Sequence, residues 1–328
     1  MRRALPAIGL FFLAPLISEF LLGDLPITML GSLIVLAPMY GGGAVLIREI
    51  VRRTGRGWAS ILVLALAYAI LEEAFLTQTL FNPDYLGMNM HLLQPAYIPA
   101  LGIGAWWTVF VLTLHTVWSI SVSIALVEAT VPARATEPWL GNVGLTVVAL
   151  LFILGGVAVA RFSVQQDHNH FVASRSQFVA SGVILIAVII VAWMLPRGSR
   201  TRITGAVPNP WLVGIGALAA TSIFFIVPNR LGWWAVAIYL ALDLAAIVAV
   251  TDWSRREGWG GPHRLALASG AALTYAWHAF VQKPVAGNAG MMNRAGNVVF
   301  ALGLIILIAI AARRLASAQR VATAQPRT

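Results

Sequence analysis

The chain has 328 residues, of which 59% are hydrophobic and only 10% charged, with a mean hydropathy of +0.82. Soluble domains carry about a quarter charged residues, so this composition excludes a soluble globular protein. The formal charge of +10 comes from 22 basic residues, all arginine except Lys283, in short clusters between apolar runs; the positive-inside rule accounts for that pattern, and nucleic acid is not expected as a partner.

In chain order, Met1-Arg2-Arg3 precedes an apolar run from Leu5 to Leu22 that Glu19 interrupts and no small-x-small cleavage site follows, so it reads as a retained helix and not a secretory signal. A helix needs about 20 mostly apolar residues to cross the hydrocarbon. Ten stretches qualify: 5–22, 28–48, 58–80, 104–130, 139–161, 178–195, 211–228, 232–253, 264–282 and 296–314. The expected fold class is all-α, a polytopic transmembrane bundle of ten helices. Its first half is 1–161 and carries the candidate site, its second half is 162–315, and the small, polar, basic tail 316–328 is expected to be disordered. With the N-terminus inside, only Arg161, Arg175, Arg230, Lys283 and Arg294 face outward, and both termini are cytoplasmic. The inward set includes Arg2, Arg200 and Arg327. Of the 12 tryptophans, all but Trp118 and Trp277 lie at proposed helix ends, as an interfacial belt requires. Arginine-rich, lysine-poor usage fits a cell membrane of the bacterial inner or plasma type. Membrane lipids are the expected surroundings.

Two outer connections are longer than hairpins. The first, from Phe81 to about Ile103, holds Asn82-Pro83-Asp84-Tyr85 and His91 and suits an ordered interfacial loop or a lid. The second, Phe162 to Gln177, holds Asp167-His168-Asn169-His170, which reads as an exposed polar loop although two imidazoles could bind a metal. No cysteine is present, so disulfides, thiolate metal sites and cysteine nucleophiles are excluded. No cofactor or metal is assigned.

Charged residues near a span centre cost about 2.5–3.5 kcal/mol each on insertion scales, so those retained are the functional candidates. Glu72 and Glu73 in the third span and His115 in the fourth lead them. The two spans are consecutive and antiparallel, so carboxylates and imidazole fall at one depth, and two adjacent carboxyls in low dielectric share a proton with a neighbouring imidazole. Tyr68, Thr77 and Ser119 lie within a helical turn of these groups. Glu19, Arg48, Glu49 and Glu128 sit nearer the span ends, where pairing and anchoring compete with a proton-path role. Pro38 and Gly41-Gly42-Gly43 loosen the second span or let helices pack closely. Asp243 and His278 are expected to meet in the second half as a possible second site.

Glu72-Glu73 followed by His115 on the next helix resembles the core of the CAAX-protease and bacteriocin-processing (glutamic intramembrane protease) family, whose motifs are EExxxR, FxxxH, and HxxxN or HxxxD on separate helices. The resemblance covers about residues 58–130. It implies a water activated by one glutamate for peptide-bond cleavage within the bilayer, with His115 steadying the oxyanion. Thr77 stands at the arginine position of the first motif, Val111 at the phenylalanine position of the second with Phe110 one residue away, and His278 with Gln282 lies far downstream of where the third belongs. Three functions follow from the sequence: an intramembrane hydrolase acting on a peptide or lipid-linked substrate, a proton-coupled transporter of a small solute, and a scaffold whose polar residues only pack helices.

Overall fold

The computed structural model describes residues 3–88, 90–197 and 202–324; Arg2, Arg200 and Arg327 of the orientation argument lie outside them. Backbone polar groups in hydrocarbon must be satisfied within the chain, and ten helices do this: α1 (Leu5–Leu21), α2 (Ile27–Arg53), α3 (Trp58–Leu76), α4 (Ala105–Thr130), α5 (Asn142–Gln166), α6 (Arg175–Met194), α7 (Pro210–Ile226), α8 (Trp233–Ser254), α9 (Gly261–His278) and α10 (Met291–Ala324). Among the described residues the strands are two, β1 (Tyr97–Ile98) and β2 (Ile103–Gly104), an antiparallel hairpin in the connection before α4.

The helices stand where the ten apolar stretches predict them. Seven are long and apolar enough to cross a membrane, α1 and α7 are apolar but shorter, and α9 is not in either group. The reason for α9 is its place in the bundle. Ala268, Ala271, Ala272, Thr274 and Tyr275 are buried, because its small residues let α7 approach so closely that a Cβ on Gly270 would lie 2.8 Å from the Leu218 nitrogen.

Helices α1, α2, α3, α4 and α9 form the enclosed centre, and α5 and α6 lie in the shell: 67% of the apolar window of α4 is buried in the protein against 11% for α5 and for α6. Both halves of the chain share one core, in which Ile17 and Leu114 of the first pack with Phe224, Tyr239 and Leu304 of the second. Trp118 stacks on Tyr275 with ring centroids 4.8 Å apart, and such pairs contribute about 0.5–1.5 kcal/mol beyond their buried area. Helix α5 continues through position 161 to Gln166.

The tail departs from expectation. Helix α10 runs on to Ala324, because alanine-rich sequence extends an existing helix without a new nucleation cost. Positions 325–328 lie outside the described residues. The end of the bundle holding Arg48, Arg52 and Arg264 is called the inner end, after the orientation that the arginine bias predicts.

Candidate functional site

The candidate residues meet where α1 to α4 depart from regular winding. Each of these helices contains a π-helical stretch: Leu16–Leu21 in α1, Ala37–Gly41 in α2, Glu72–Leu76 in α3 and His115–Val122 in α4. These stretches carry Glu19, Tyr40, the Glu72–Glu73 pair, and His115 with Ser119. A π turn inserts a residue and re-aims the side chains after it, which is why such stretches recur at functional sites.

Glu72, Glu73 and His115 are 1%, 3% and 6% exposed. His115 lies between the two carboxylates: its Nε2 is 2.9 Å from Glu73 Oε1 and its Nδ1 is 3.2 Å from Glu72 Oε2. Ser119 Oγ is 2.9 Å from the same Nδ1. The two glutamates differ in how far they are satisfied. Glu73 Oε2 accepts from Thr77 at 3.3 Å and from Thr79, and Trp107 Nε1 donates to Thr79 at 2.9 Å. Glu72 Oε2 and the buried Tyr68 hydroxyl one turn earlier on α3 make no well-aligned hydrogen bond, although the Tyr40 and Tyr68 hydroxyls both lie close enough to act on the Glu72 carboxyl. Glu73 is therefore the more firmly held of the two, while Glu72 faces the imidazole with a less saturated carboxyl.

Tyr40 was not singled out by the sequence reading. Its ring stacks on His115 at 5.9 Å and its hydroxyl donates to Glu19 Oε1 at 2.6 Å, which ties Glu19 to the centre. Its position just before Gly41-Gly42-Gly43 was the available signal. The glycines serve close packing: a Cβ on Gly41 would collide with the Phe11 carbonyl oxygen, and one on Gly43 would lie 2.5 Å from the Tyr68 ring. One ligand atom from each of Glu72, Glu73 and His115 lies within 4.8 Å of the others, so the trio could also hold a metal ion.

The remaining candidates belong elsewhere. Arg48 does not snorkel. It is 0% exposed, pairs with Glu49 at 2.7 Å and Glu128 at 3.2 Å, donates to the Ala135 carbonyl at 2.8 Å and lies 3.4 Å from the centre of the Trp139 ring. Glu49 accepts from the backbone nitrogens of Trp139 and Leu140 at 2.8 and 3.1 Å. The two residues clamp the inner loop before α5, and no hydrogen bond or ion pair among the described residues links them to Glu72 or Glu73. Asp243 and His278 do not pair: Asp243 accepts from Thr113 at 2.8 Å, while His278 packs on Phe225 at 4.6 Å with a buried, unpartnered Nδ1. Helix packing aims them at different neighbours.

His168, Asn169 and His170 are exposed, as a polar loop requires, but Asp167 is only 1% exposed. It accepts from Asn82 Nδ2 at 2.8 Å and from the backbone nitrogens of Leu86, Asn169 and Phe171 at 3.1, 2.9 and 3.3 Å. Burial opposes its ionisation, but these hydrogen bonds outweigh burial and hold its carboxyl below the ordinary value. Together with Gln78, whose side chain accepts from Ala173 N at 2.7 Å, it fastens the long connection between α3 and α4 over the outer side of the centre.

No curated protein and no solved structure matches the chain. The resemblance to the CAAX-protease family does not hold, since no model of that family matches. The site gives a physical reason: Thr77, at the arginine position, serves Glu73, and His278 is engaged with Phe225, so of that pattern only a Glu-Glu and a histidine at one membrane depth remain. A family model does match residues 10–325, and the chain accordingly belongs to the family described as "Uncharacterized membrane protein family".

Proposed function

We propose that this integral membrane protein is a membrane-embedded hydrolase of an acyl bond, peptide or lipid-linked, with Glu72 as general base, His115 as proton carrier and Glu73 as the group that orients His115. One observation carries the reading: Glu72 Oε2, which makes no well-aligned hydrogen bond, lies 3.2 Å from an imidazole nitrogen whose ring is held at its other nitrogen by a saturated carboxylate. A proton taken from water by Glu72 passes to His115 Nδ1 and from there to the leaving group. The water oxygen bonds to the acyl carbon as the bond to the leaving nitrogen or oxygen breaks, and the Tyr68 hydroxyl, beside Glu72, is the donor assigned to the developing oxyanion. The arginine-rich inner loops support a bacterial inner or plasma membrane as the location.

The test compares products formed in host-membrane vesicles by the wild type, Glu72→Gln and His115→Ala. Products present with the wild type and absent with both variants support the reading, and three identical product profiles refute it.

A second reading, proton-coupled transport of a small solute, is favoured by the hydrogen-bonded step from Tyr40 to Glu19, with Asp24 beyond it. Burial first, and the neighbouring charge of Glu19 second, push the Asp24 carboxyl up, so Asp24 holds a proton more readily than a free aspartate does. Uptake driven by a pH gradient in reconstituted vesicles and lost in Glu19→Gln would favour it over hydrolysis. Wild-type behaviour of a triple Glu72, Glu73 and His115 replacement in both assays would leave the scaffold.

A further inference from the structure

The inner end holds a cavity that the proposed reaction does not use. It measures about 280 Å³ and lies between the start of α3, the end of α4, the first turn of α9 and the last turns of α10. Its walls are of two kinds. Ala125 and Leu315 make one side apolar, while Trp58, Glu128 and Arg264 make the other polar.

The polar side presents donors without acceptors. Arg264 has no hydrogen-bond or ion-pair partner for its side chain among the described residues, and the counter-charge that acts on it is Glu128. That carboxylate is already committed: Oε1 accepts from Arg48 Nε at 3.2 Å and Arg52 Nε at 2.8 Å, and Oε2 from Arg52 Nη2 at 2.7 Å. The surrounding network sets Arg48, Arg52 and Arg53 against Glu49 and Glu128, so it is net positive before Arg264 is added. Helix α9 opens at Gly261, which also lines the cavity, and an 18-residue helix adds the positive end of its dipole there.

We propose that this cavity binds the phosphate of an anionic headgroup, with Arg264 as its direct donor and the Ala125–Leu315 wall against the glycerol. The volume accommodates a phosphate and glycerol but not acyl chains, which would extend from the cavity into the surrounding lipid. Basic pockets between helices at the cytoplasmic surface are a recurring way of holding such headgroups. The proposal is independent of the reaction assigned to Glu72.

The test uses the full chain purified in neutral detergent, with bound lipid counted by native mass spectrometry during titration with phosphatidylglycerol, with phosphatidylcholine and with inorganic phosphate. One retained phosphatidylglycerol is expected, bound more tightly than phosphatidylcholine. A charged hydrogen-bonding partner lost from such a site weakens binding roughly tenfold to a hundredfold, so Arg264→Gln should show that loss and Arg264→Lys should keep most of the affinity. Arg264→Lys also guards against misfolding as the cause. Saturable, Arg264-dependent binding of inorganic phosphate without lipid retention would support the site with free phosphate as its ligand. Equal phosphatidylglycerol binding by the wild type and Arg264→Gln would overturn the proposal.

Discussion

Arg48→Met isolates the contribution of the inner clamp. The arginine is fully enclosed, pairs with two carboxylates at 2.7 and 3.2 Å and donates to the Ala135 carbonyl. Methionine keeps much of the apolar stem and removes the charge. Breaking a buried ion pair from one side costs about 3–5 kcal/mol because the other charge is stranded. Here Arg52 still holds Glu128 at 2.7 Å, and Arg53 approaches Glu49 at 3.6 Å, which places the loss near the lower figure, about 3 kcal/mol. For a chain of this size that is a fall in melting temperature of roughly 5–10 °C, measurable by thermal unfolding in detergent. Adding Glu49→Gln should cost less than the sum of the single changes, with a coupling of about 1 kcal/mol or more. A variant within about 0.5 kcal/mol of the wild type, or strict additivity, would refute the clamp.

Three further outcomes follow. The Asp167 carboxyl is held below its unfolded value of about 3.9, so the stabilisation it gives is whole above that pH, declines as pH falls toward the folded value and is absent below it; hydrogen exchange of the 77–104 connection should accelerate in that acid window, and Asp167→Asn should already show faster exchange at neutral pH. Gly43→Ala pushes a methyl into the Tyr68 ring and should cost about 1–3 kcal/mol by overpacking, seen as a lower melting temperature. Tyr40→Phe removes the hydroxyl from Glu19 while leaving the ring on His115, so it should destabilise the fold by about 1.5–3 kcal/mol yet retain product formation if the protein is a hydrolase; complete loss of products in a folded variant would contradict the assigned roles.

How far the sequence reaches can be seen residue by residue. The spans were legible because lipid admits few alternatives to long apolar helices. The meeting of Glu72, Glu73 and His115 was legible because consecutive antiparallel helices place them at one depth. Tyr40 was hidden because a regular 3.6-residue pitch does not describe the π stretches that aim it at His115 and Glu19. Thr79 shares a stripe with Glu72 on a regular helix but serves Glu73 instead: Gln78 adopts a φ of 59°, a left-handed conformation uncommon outside glycine, which turns the chain back so that Thr79 reaches Glu73. Asp167 and Arg48 depend on contacts across about 80 residues or more of sequence, which periodicity does not encode. Asp243 and His278 fail as a pair because depth alone does not fix the facing of two helices.

Oxygen-isotope transfer from water tests the central claim most directly. Vesicles containing the wild type or Glu72→Gln are incubated in water enriched in oxygen-18, and newly formed carboxyl groups on peptides and lipid-derived acids are read by mass spectrometry. A hydrolase centred on Glu72 predicts carboxyl products labelled with one oxygen-18 in the wild type and absent from the variant. Identical labelling in both, or no labelled product with folded wild-type protein, would contradict it.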